Sequence, residues 1–140
     1  MTAAEKTAAR KEATANCTYQ AAAAEHYAAA AERFAAEGNF HAAWGAIDTV
    51  RCASTLAERA HEELWAAAGG NLTDEEWTAF EAAEFVHTAA GRALLAVEAA
   101  SDARRAAAAP ALRTSPYKRT RATVYATGNR WAIENFDATH

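Results

Sequence analysis

Residues 1–109 contain no proline, and the first of only two prolines in the chain is Pro110. A proline-free run of this length, with alanine as its dominant residue, is suited to long helices. Alanine loses no side-chain entropy in a helix, whereas proline removes a backbone donor and clashes with the preceding turn. Past Pro110 the alanine thins out, and Thr, Tyr, Val, Trp and basic residues take its place. The contrast predicts a helical body, residues 1–109, carrying an arm of different character, residues 110–140.

Capping signals place three helices in the body. Thr2-Ala-Ala-Glu5 fits a capping box, and the first helix runs from it to Glu37, stopping at Gly38. Asn39 caps a second helix that ends near Ala68, before Gly69-Gly70. Thr73-Asp-Glu-Glu76 is a second capping box, and the third helix runs from there to about Ala109, where Pro110 should stop it. Helices of this length span roughly 45–55 Å, and the short turns make them antiparallel neighbours. Apolar residues recur at helical spacing through Phe40, Trp44, Ile47, Val50, Ala57, His61, Leu64 and Trp65, and again through Trp77, Phe80, Ala83, His87, Ala90, Leu94 and Val97. Helix one offers only Tyr19, Tyr27 and Phe34 as aromatics, so its first half either packs through alanine or projects. Gly45 and Gly91 inside helices suggest close helix approach.

In the arm, residues 111–122 read as a basic linker containing Pro116. Residues 123–136 read as a β-hairpin turning at Gly128-Asn129. The expected fold class is all-α: an antiparallel three-helix bundle of long Ala-rich helices with a C-terminal β-hairpin arm. An isolated hairpin is marginal in water, so the arm should dock on the bundle, on a second copy or on another protein. Residues 27–50 also resemble one tetratricopeptide-type helix pair, through Tyr27, Ala30, Ala31, Phe34, Gly38-Asn39-Phe40, Ala43, Ile47 and Val50. The pattern fails one repeat later, and a solenoid needs about three repeats, so the resemblance implies helix-hairpin packing and no family.

Charge sharpens the division. The net charge is −4 from 14 basic and 18 acidic residues. Residues 110–140 hold five basic residues (Arg113, Lys118, Arg119, Arg121 and Arg130) and two acidic ones, a balance of +3 that leaves −7 for the body. An acidic body disfavours non-specific nucleic-acid binding, while a basic arm admits an anionic partner. Arg113, Tyr117, Lys118, Arg119, Arg121, Tyr125, Arg130, Trp131 and Phe136 are the expected partner-binding residues. Interleaved basic and aromatic residues also suit nucleic acid, which makes a nucleic-acid accessory role an alternative.

The core should be thin. Alanine has little area to bury, and large side chains are few, with five Phe, four Trp and four Tyr. This favours self-association or a permanent protein partner. Cys17 and Cys52 lie on adjacent helices with an offset of about seven residues, roughly 10 Å along the axis, too far apart for a disulfide. They read as small buried apolar residues in a reducing compartment. No apolar run is long enough to span a bilayer, so no membrane role is expected. The expected location is the cytoplasm, or a virion assembled there.

One arrangement has metal-site spacing. Glu58-Arg-Ala-His61 and Glu84-Phe-Val-His87 each place two ligands at i and i+3 on one helix face, and Glu58 and Glu84 lie about 13 residues from the Gly70 turn. This resembles half of a ferritin-like di-metal site for iron or manganese, completed by a second copy. Phosphate loops, HExxH, CxxC and nucleophile elbows are absent from the sequence. The leading expectation is a non-enzymatic, cofactor-free helical interaction protein assembling through its arm. A virion or head–tail component of a phage infecting a GC-rich bacterium would suit that plan.

Overall fold

The computed structural model describes residues 1–114 together with Gly128, Arg130, Trp131, Ile133 and Glu134. The chain forms α1 (Ala3–Ala36), α2 (Phe40–Ala68), α3 (Asp74–Glu84) and α4 (Val86–Thr114). Both predicted capping boxes form: Thr2 with Glu5, and Thr73 with Glu76. At the first turn, Gly38 takes φ +78°, which an L-residue with a Cβ rarely adopts. This lets the Asn39 N–H reach the Phe34 carbonyl at 2.8 Å and the Gly38 N–H reach Ala35 at 3.0 Å, closing α1 in a Schellman motif.

The helices pack up–down–up. Arg10 meets Glu76, Glu25 meets Arg92, and Arg104 lies against Gly38. A nearly constant separation of 66–67 residues between the two ion-paired positions shows that α1 and α3–α4 run parallel, with α2 antiparallel between them. The core face of α1 is Ala13, Cys17, Ala24, Ala28, Ala31 and Ala35, set against Ala43, Ile47, Val50, Ala57 and Leu64 of α2. Small side chains at helical spacing let these two helices approach closely. Of the three aromatics of α1, Tyr19 and Tyr27 are exposed and Phe34 is half-buried. Alanine does that packing, beginning near Ala13.

The third helix differs from expectation at both ends of its second half. It divides at Phe85, where the Thr88 N–H donates to the Phe85 carbonyl at 3.1 Å in a tight i→i−3 bond. The buried residues show why a break is needed. Phe80, Ala83, Val86 and Ala89 are all buried at three-residue steps. In a straight helix nine residues rotate by about 900°, so Phe80 and Ala89 would face opposite ways. The break re-phases the stripe, which continues through Ala93, Val97 and Ser101. It also turns His87 out to solvent, against its expected place on that stripe.

Pro110 does not end the helix, since α4 continues to Thr114. A single proline removes one ladder bond and bends a helix without terminating it. Gly45 and Gly91 are also corrected. A Cβ built on either meets nothing within 4 Å among the described residues, so neither marks a close helix approach.

The expected β-hairpin is not seen. No strand occurs among the described residues, and Arg130, Trp131, Ile133 and Glu134, expected in its second strand, are helical. The rest of that segment lies outside the described residues. Where described, the segment docks on its own bundle. Ile133 is 2% exposed and belongs to the core, and the Ser101 hydroxyl donates to the Gly128 carbonyl. Gly128, at φ +66°, packs against the Phe40 ring.

Candidate interaction surface

The expected metal ligands are not gathered. Glu58, Glu84 and His87 are exposed, and His61 is half-buried with its ring stacked on Phe80 at 3.7 Å and 21°. Among the described residues, no three His, Cys, Asp or Glu side chains are placed to share a metal ion. Equal height along two helices did not bring the two Glu-x-x-His segments onto one face, because the break at Phe85 rotates His87 away.

The expected partner-binding residues divide. Arg130 is held by its own chain. Its guanidinium donates to Glu134 at 2.9 Å and Asp48 at 2.6 Å, and sits over the Trp44 ring with 5.5 Å to the centroid. These bonds, that to Glu134 foremost, stabilise its charged form. Trp131 is exposed. The backbone of Arg113 lies in α4. Tyr117, Lys118, Arg119, Arg121, Tyr125 and Phe136 lie outside the described residues.

An aromatic face at the turn between α2 and α3 was not singled out from the sequence. Phe80 is its centre: Trp77 stacks on it at 5.4 Å and 19°, Trp65 tilts against it at 5.5 Å, and His61 covers its other approach. Phe80 is buried, but Trp65 and Trp77 remain 47% and 45% exposed. Two large indoles packed on the same ring are therefore half in water. The Nε2 atom of His61 is buried with no hydrogen-bond partner among the described residues, an unmet polar group within this face. The sequence signal existed, since Trp65 and Trp77 flank the Gly69-Gly70 turn. Helical spacing alone assigned both to the core.

The carboxylates around the face are exposed and unpaired among the described residues. Asp74 and Glu81 lie one turn before and after Trp77, and Glu62 lies one turn before Trp65. Contiguous apolar surface rimmed by polar groups marks interaction sites, and tryptophan is the residue most enriched where binding energy concentrates.

The face is held by a charge clamp behind it. Arg10 of α1 forks onto Glu76, its Nε donating to Oε2 at 2.7 Å and its Nη2 to Oε1, while also reaching the Asn71 carbonyl at 3.1 Å. Glu76 Oε1 also accepts the Thr73 N–H at 3.0 Å, so one buried carboxylate serves both the capping box and the α1 contact. The Arg10 hydrogen bond is the main reason the Glu76 carboxyl falls to about 2. The clamp fixes the α2–α3 turn, and with it Trp77, against α1.

Both cysteines are free; Cys17 is buried and Cys52 exposed, which corrects the expectation for the second. Burial pushes the Cys17 thiol up to about 11, with the negative charge of Glu63 adding to the effect. No helix among the described residues is long and apolar enough to cross a membrane. Protein-family models, curated proteins and solved structures gave no match to this chain.

Proposed function

We propose that the chain is a non-enzymatic helical interaction protein, assembling with itself or within a larger complex, whose recognition surface is the aromatic face around Phe80. The observation that carries this reading is the pair of half-exposed tryptophans, Trp65 and Trp77, packed on one buried ring inside a rim of carboxylates unpaired among the described residues. The rigid bundle presents the indoles with little side-chain freedom left to lose, which favours binding. A cationic or aromatic partner surface suits such a face, through cation–π contact and charge complementarity. Arg130 and Ile133 are engaged by the bundle.

The test is the double substitution Trp65→Ser/Trp77→Ser, followed by sedimentation equilibrium and circular dichroism. Association should be lost, with helicity kept, since both side chains lie outside the sealed core. Undiminished association in the double variant refutes this reading.

A further inference from the structure

The aromatic face has a counterpart in the same sequence. Its rim carries Asp74, Glu81 and Glu62, with Glu58 and Glu84 one turn from His61 and Phe80, all exposed and unpaired among the described residues. Against this, Tyr117-Lys118-Arg119-Thr120-Arg121 is the densest basic and aromatic stretch in the chain, within a +3 segment attached to a −7 body. Lysine and arginine cations beside a tyrosine match indole faces ringed by carboxylates.

The two cannot meet within one molecule. Residues 115–127 number thirteen and are fixed at both ends: they leave α4 at Thr114 and return to Gly128, which is held by Ser101 and Phe40. That anchor lies at the end of the bundle where α2 begins. Trp65 lies 25 residues further down α2, about 38 Å away at 1.5 Å per residue. Thirteen extended residues have a contour of about 45 Å, so a path that leaves and returns reaches only about 23 Å. Any contact between this segment and the aromatic face therefore joins two molecules.

Building on the reading of that face as an interaction surface, we propose that it docks the basic segment Tyr117–Arg121 of a second copy of this chain. The face and the two anchors of the segment, Thr114 and Gly128, lie at opposite ends of the bundle, so the contact is head-to-tail. Each molecule keeps one unused face or one unused segment, and assembly propagates unless a ring closes.

Mixing two variants that are each defective on one side tests this. The face variant is Trp65→Ser/Trp77→Ser, and the segment variant is Lys118→Glu/Arg119→Glu/Arg121→Glu. Light scattering coupled to size exclusion should find the wild type assembled and each variant alone at the 14.9 kDa monomer mass. An equimolar mixture should double that mass and stop there, since only one intact face and one intact segment remain per pair. If the segment variant assembles like the wild type while the face variant does not, the head-to-tail contact is wrong and the reading of the face survives. If both variants assemble like the wild type, both fail. A wild type that stays monomeric overturns the proposal and leaves the face to a different protein.

Discussion

At the scale of single residues, Glu76 carries the most. Its carboxyl titrates at about 2 in the fold against an ordinary 4.5, with the Arg10 hydrogen bond as the largest cause. A carboxylate with a depressed value stabilises the fold at any pH above its unfolded value. As pH falls from about 4.5 towards 2 the unfolded chain takes up the proton first, and that stability is lost. Glu76→Gln should therefore flatten the loss of urea stability across this window relative to the wild type. Parallel curves for the two proteins would deny Glu76 this role. The cysteines give a second prediction. Cys52 should react with a thiol reagent in the native state, and Cys17, buried with its thiol at about 11, only on unfolding, so native protein should titrate one thiol per chain. Thr73 and Glu76 were legible as a cap from their spacing. Arg10 was not legible as their partner, because a contact across 66 residues leaves no local signature.

At the scale of elements, caps and glycines fixed where α1 and α2 end, and the alanine content foretold how they pack. The break at Phe85 was not anticipated, because only the burial of Phe80, Ala83, Val86 and Ala89 picks their three-residue steps out from the other apolar spacings of the helix. The C-terminal segment was misread because alternating apolar residues around Gly-Asn suit a hairpin, while the described positions 130–134 are helical and Ile133 joins the core. Ile133→Ala should cost about 3 kcal/mol in chemical denaturation, the usual range for a large aliphatic cut to alanine in a core. An arm detached from the bundle would show almost no change. Gly91 is helical and meets no neighbour, so Gly91→Ala should raise stability by about 1 kcal/mol in the same assay. A loss there would mean that an unseen contact requires the glycine.

At the scale of the whole molecule, the chain is an acidic bundle with an aromatic face at one end, and α4 ends at Thr114 towards the other, just before the basic stretch of the sequence. The charge asymmetry was plain in the sequence. The face was not, since Trp65 and Trp77 fit an apolar stripe equally well, and only the packing of Phe80 beneath them separates an exposed platform from a core. Hydroxyl-radical footprinting at low and high protein concentration tests the central claim most directly. Assembly through this face should slow oxidation of Trp65 and Trp77 on concentration, while Tyr19, 69% exposed on the outside of α1, keeps its rate. Protection that falls on Tyr19 and spares both tryptophans would contradict the account.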